Sequence, residues 1–220
     1  MKCFLEYIRE KRNTSLSGQI IRTIMILLLG IALGVLSKFL DSTAGNALPP
    51  ILEYLDVRNF LGRFAIWMLL GLCIAVYSPS PIRAAVNVFA FFSGIVSGYY
   101  AYSKWIAGFF PQSYALIWVS FTAISPLLAW ICWYAKGKGK LSLGISSLLI
   151  AVLFNASFVY GWVYFNMRSV LELTVFLCSV IMVITFNYKE GEKTITFADL
   201  KEALSSKNGS DLDCSGAPSQ

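Results

Sequence analysis

The side chains able to do chemistry in this chain are few, because histidine is absent from all 220 residues. That absence removes the commonest metal ligand and the commonest general base at once. What remains in or beside strongly apolar sequence is Arg63, Asn87, Asn155 and Glu172. Glu172 is the one carboxylate close to apolar sequence, and Arg168 precedes it by one helical turn. Opposite charges at i, i+4 pair locally on a helix. Alternatively, Glu172 meets Arg63 across a bundle and helps to form an outward-facing pocket for a small polar ligand. Asn87 follows Arg83 by one turn, and Asn155 sits deep in an apolar run. An amide in lipid seeks a hydrogen bond, so each Asn either glues helices together or lines a polar cavity.

Catalysis finds little support. There is no HExxH zinc motif, Ser-His pair, P-loop or glycine-rich nucleotide fingerprint, and no apolar run carries two acidic residues. The chain is not expected to be an enzyme, and neither a metal nor a cofactor is expected. Cys3, Cys73, Cys132, Cys178 and Cys214 include no CxxC pair, and disulfides are not expected.

Two stripes of small residues suggest close helix packing: Gly30 with Gly34, and Ala90 with Gly94 and Gly98. Removing side chains at i and i+4 lets backbones approach, which is how helices associate where lipid cancels the hydrophobic effect. The stripes serve either packing within the chain or docking of another membrane protein through the first apolar segment.

The elements that position these residues follow from composition. Apolar residues make up 57% of the chain and charged residues 14%, with a mean hydropathy of +0.65. Soluble domains carry roughly 45–50% apolar and about 25% charged residues. The lipid bilayer is therefore the expected partner, and the expected fold class is all-α, a polytopic transmembrane helix bundle. Six segments approach the required length of about 20 residues: 20–39, 60–77, 84–103, 114–135, 141–162 and 169–188. Pro79 and Pro81, Gly108 and Pro111, Gly137 and Gly139, and Gly161 punctuate them. Pro126 is expected to kink the fourth span and free carbonyl groups there. The chain thus divides into a basic segment 1–19, a six-helix domain 20–188 and a tail 189–220.

The net charge of +6 does not mark a nucleic-acid binder, because the basic residues flank apolar spans instead of lining one face. They set orientation. With the N-terminus inside, thirteen fall on that side: Lys2, Arg9, Lys11, Arg12, Arg22, Arg83, Lys136, Lys138, Lys140, Lys189, Lys193, Lys201 and Lys207. Five fall outside: Lys38, Arg58, Arg63, Lys104 and Arg168. Positive residues favour the cytoplasmic side, so both termini are expected in the cytoplasm of a cell held by its inner or plasma membrane. The first span is not expected to be a cleaved signal, because Lys38 and Asp41 separate it from the small residues that follow. Residues 2–12 suit a basic amphipathic turn at an anionic leaflet. The loop 41–59, with Ile51, Leu52 and Leu55 at helical spacing, suits an interfacial cap. A capped helix is expected from Thr196 to Leu204, followed by a disordered end.

Three stretches carry a resemblance. Tyr77-Ser-Pro-Ser-Pro-Ile-Arg-Ala-Ala-Val-Asn87, Gly108-Phe-Phe-Pro-Gln-Ser-Tyr114 and Ser125-Pro-Leu-Leu-Ala-Trp-Ile-Cys-Trp-Tyr-Ala-Lys-Gly-Lys-Gly139 resemble a group of small bacterial multi-pass membrane proteins whose function is unknown. The resemblance covers roughly residues 20–188 and implies no activity or site residues. In architecture alone, the chain is similar to substrate-capture subunits of energy-coupling-factor vitamin transporters, without matching a ligand-binding motif of theirs. Two functions follow as expectations: a membrane scaffold or accessory subunit, or a protein that captures or moves a small solute past Arg63, Asn87, Asn155 and Glu172.

Overall fold

Ser15 and Ser80 start two helices in the same way. The Ser15 hydroxyl accepts from the Gly18 amide at 3.3 Å, and the Ser80 hydroxyl accepts from the Arg83 amide at 3.2 Å. Each satisfies an amide that the first helical turn leaves without a partner. Pro81 occupies the first turn of the second of these helices, where its missing N–H costs nothing. The computed structural model describes residues 9, 15–43, 49–137, 139–160, 165–167 and 171–185. The remainder of the basic N-terminal segment, residues 44–48, 138, 161–164 and 168–170 (Arg168 among them), and the tail beyond 185 lie outside the described residues. So do the expected amphipathic turn, apart from Arg9, and the expected Thr196 helix.

The chain forms α1 (Leu16–Ser42), two short turns α2 (Pro50–Tyr54) and α3 (Val57–Leu61), then α4 (Phe64–Tyr77) and α5 (Pro81–Trp105). There follow α6 (Gln112–Trp133) with a 3-10 turn at Tyr134–Lys136, α7 (Gly139–Ser157) and α8 (Leu171–Thr185). The architecture is an all-α bundle, as the composition requires. Four helices are long and apolar enough to cross a membrane: α1, α5, α6 with its 3-10 turn, and α7. Helices α4 and α8 are shorter. At 1.5 Å per residue, the 14 residues of α4 extend about 21 Å, against a hydrocarbon core of about 30 Å.

Two boundaries differ from the sequence reading. The second span begins at Phe64 and not at residue 60, because the chain still turns through α3, and Trp67 Nε1 donates back to the Leu61 carbonyl at 2.8 Å. The fifth ends at Ser157 and not at 162, because Phe158–Tyr160 pairs antiparallel with Phe165–Met167. That stretch is aromatic and β-branched, which suits a hairpin better than a helix end. The loop after α1 packs only in part: Leu52 and Leu55 are half-buried, whereas Ile51 and Tyr54 are exposed.

α5 is the axis of the bundle. α1 lies along one of its sides and α6 along another, while α4 fits between α5, α6 and α7. A Cβ placed on Gly94 would lie 2.5 Å from the Leu27 carbonyl oxygen, and one on Gly98 would lie 2.5 Å from that of Ile31. A Cβ on Gly30 would strike the Phe91 carbonyl, and one on Gly34 the Ile95 carbonyl. The two glycine stripes therefore face one another, and α1 and α5 run parallel at backbone contact. Ala90 is half-buried on the same stripe.

The core is aromatic where α4, α5 and α6 meet. Phe64 stacks on Trp118 with ring centroids 4.5 Å apart, and Phe92 meets Phe121 edge-on at 5.1 Å. Large aliphatic side chains lie instead on the outside, including Ile24, Leu28, Leu116, Leu127, Leu148 and Ile181. A soluble fold rarely leaves so much contiguous apolar surface open. With the long apolar helices, this surface fits a membrane-spanning chain.

Candidate functional site

Polar groups of the bundle gather at its two ends, and the ends differ in charge. Starting points of α1, α5 and α7 share one end with the last turns of α4 and α6. Among the described residues, that end holds Arg9, Arg22, Arg83, Lys136 and Lys140 and no carboxylate. The other end holds Lys38, Arg58, Arg63 and Lys104 together with Asp41, Glu53, Asp56 and Glu172.

At the basic end, Asn87 is fully buried and ties three helices together. Its Oδ1 accepts from the Thr23 hydroxyl of α1 at 2.7 Å, and its Nδ2 donates to the Ser78 hydroxyl at 3.1 Å. Ser78 donates in turn to the Ile74 carbonyl at 2.7 Å, and its own carbonyl accepts from Trp133 Nε1 at 2.8 Å. Arg9 closes the network. Its guanidinium bonds the Trp133 carbonyl and, at 2.7 Å, the Val76 carbonyl, and it lies 4.1 Å from the centre of the Trp133 ring. A cation at the last turns of α4 and α6 satisfies carbonyls that those turns leave free, and it opposes the negative helix ends.

At the other end, Arg63 caps α4 and Glu172 begins α8. Arg63 Nη1 stands 3.4 Å from Glu172 Oε2, with the glutamate fully buried and the arginine side chain about one-third exposed (32%). Phe60, Ala65 and Val175 pack around this end of the bundle. Lys38 forms a second pair at 2.7 Å with Asp41, which also accepts from the Tyr99 hydroxyl at 3.1 Å.

Asn155 lies elsewhere. It is exposed on the outer surface of α7. Of the four residues proposed for a solute path, the structure thus joins Arg63 with Glu172, puts Asn87 toward the opposite end and turns Asn155 away from the interior. The partners of Asn87 escaped sequence reading. Thr23 and Ser78 are individually unremarkable, and only the parallel docking of α1 on α5 makes Thr23 meet Asn87.

Between these ends, a cavity of about 240 Å3 lies among α4, α5, α6 and α7. Its walls are apolar except for Ser125, and include Gly71, Phe92, Leu128 and Leu149. Here Pro126 does what its ring dictates. Lacking an N–H, it cannot bond the Thr122 carbonyl one turn back; the Ser125 hydroxyl donates to that carbonyl instead, at 2.8 Å. The carbonyl freed by the proline is therefore used locally. Cys73, Cys132 and Cys178 are all free thiols. Among the described residues, no three His, Cys, Asp or Glu side chains come together as metal ligands.

No family model, curated protein or solved structure matches this chain.

Proposed function

We propose that this chain is a non-catalytic, six-span membrane protein that serves as a scaffold or accessory subunit for other membrane proteins. The observation that carries this reading is where the interior polar groups go. Asn87, Ser78, Thr23 and Trp133 bond one another or nearby backbone, Ser125 bonds Thr122, and Arg63 forms an ion pair with Glu172 without a hydrogen bond. The buried Ser157 hydroxyl at that end of the bundle has no hydrogen-bond partner among the described residues. A polar conduit needs groups left open to a solute along a continuous path, and the cavity between these clusters is apolar. The work then falls to the ends and to the outward surface. Capture of a small solute draws less support, since its four residues line no common path. Membership of the small bacterial group belongs to this reading and rests on the three resembling stretches.

The proposed orientation puts the basic end in the cytoplasm, as thirteen lysines and arginines on that side of the sequence against five on the other favour. Reporter fusions at either terminus test it, and activity of an extracytoplasmic reporter there would refute it.

The scaffold reading is tested by mild solubilisation of a tagged full chain. A stoichiometric membrane-protein partner is expected to co-purify through α1. Because Gly30 and Gly34 are already used against α5, the informative variant is Leu28→Trp on the exposed face of α1, which should release the partner without loosening the fold. Recovery of the wild-type chain alone, together with a melting shift from a soluble metabolite that Glu172→Ala abolishes, would overturn this assignment in favour of capture.

A further inference from the structure

At the basic end, a second cavity of about 310 Å3 opens between the start of α1 and the junction of α4 with α5. Ser15, Gln19, Arg22, Tyr77, Arg83 and Asn87 line it. Its chemistry is unlike that of the apolar cavity. Arg22 of α1 and Arg83 of α5 both line the basic one, and neither has an ion-pair partner among the described residues. Asn87 closes the cavity at depth and is held rigid by Thr23 and Ser78. Arg83 also sits within the first turn of α5, where the backbone dipole adds positive potential.

Two positive residues lining one cleft make it favourable for an anion. Arginine carries a planar fork of donors that matches phosphate oxygens in pairs. Along the same two helices, within two turns of these arginines, Ile24, Met25, Val86 and Phe89 are exposed. A free anion has no use for that apolar surface, but the acyl chains of a lipid do. Basic clefts between membrane helices suit anionic head groups for this reason.

We propose that this cleft binds the phosphate of an anionic phospholipid, with Arg22 and Arg83 gripping the head group and the acyl chains lying along α1 and α5. The bound lipid clamps the ends of these two helices from outside, where Thr23 and Asn87 clamp them from within. The site stands whichever leaflet it faces and whatever partner the scaffold has.

The test uses the full chain in neutral detergent and follows thermal unfolding as three probes are titrated: phosphatidylglycerol, phosphatidylcholine and inorganic phosphate. Phosphatidylglycerol is expected to raise the melting temperature saturably, and phosphatidylcholine to leave it unchanged. Loss of two charge-assisted contacts in Arg22→Gln/Arg83→Gln should weaken the apparent affinity about tenfold or more. Lys104→Gln, at the opposite end, should respond as wild type. An equal phosphatidylglycerol response in the double variant would overturn the site. An equal response to inorganic phosphate would overturn the lipid assignment and make the cleft a soluble-anion site. If the double variant does not fold, native mass spectrometry of the wild-type chain from an equimolar mixture of the two lipids decides. Preferential retention of phosphatidylglycerol that Arg22→Gln alone reduces supports the proposal, and equal retention of both lipids refutes it.

Discussion

Replacing Gly94 by alanine puts the packing of α1 on α5 to a quantitative test. The added methyl would lie 2.5 Å from the Leu27 carbonyl oxygen and 3.0 Å from the Ile31 amide nitrogen. Both obstacles are backbone, so neither can rotate aside. Restoring a normal separation of 3.4 Å to the carbonyl requires the helices to part by about 0.9 Å at this point. A radial gap of roughly 0.5–1 Å already forfeits a quarter to a half of each dispersion contact. Overpacking of this kind costs about 1–3 kcal/mol, while alanine recovers up to about 1 kcal/mol of helix propensity. The expected net loss is about 1–2 kcal/mol. Gly144 supplies the control, because a Cβ there meets nothing within 4 Å. Gly144→Ala should be neutral or stabilising by up to about 1 kcal/mol. Gly94→Ala with Gly98→Ala should cost less than the sum of the two, since one separation relieves both clashes. The assay is reversible unfolding in mixed micelles by titration with a denaturing detergent, followed by tryptophan fluorescence. Equal shifts for Gly94→Ala and Gly144→Ala would refute the close approach of these helices.

The same assay reads the other expectations. Ser125→Ala leaves the Thr122 carbonyl without the hydroxyl that replaces the proline N–H, and should destabilise by about 1–3 kcal/mol; a neutral result would mean that another donor serves that carbonyl. Glu172→Ala should cost about 3 kcal/mol, near the lower bound for breaking a buried pair because Arg63 keeps some solvent contact. Arg63→Met with Glu172→Leu should recover most of that loss, and a double variant as unstable as Glu172→Ala would count against the pair. Asn87→Leu removes two interhelical hydrogen bonds and should cost about 1 kcal/mol at roughly 0.6 kcal/mol per bond in a membrane protein.

Much of the fold was legible because lipid imposes few solutions. Leu, Ile and Phe runs of the right length must be helices, since no other element satisfies its own backbone in hydrocarbon. Pro79, Pro81, Gly108 and Pro111 mark the breaks that the structure uses. Gly30, Gly34, Gly94 and Gly98 were recognisable as packing residues from spacing alone. The ends of the second and fifth spans were not legible. Hydropathy does not distinguish a helix from the turn before Phe64, or from a hairpin of equally apolar Phe158–Tyr160.

By itself, then, the sequence determined that this is an all-α bundle fitted to a membrane, which residues are small enough for backbone contact, and where basic charge flanks the helices. Each is a property of one segment and its solvent. Only the tertiary structure decided which stripe meets which, that Asn87 bonds Thr23 and Ser78 while Asn155 faces outward, and that Arg63 reaches Glu172 more than 100 residues later. It also decided that Arg22 and Arg83 share one cleft. A polar side chain in an apolar run must find a partner, but its neighbours along the chain do not say which. The rotation and register of one helix against another make that choice, and both are set by steric fit between surfaces distant in sequence.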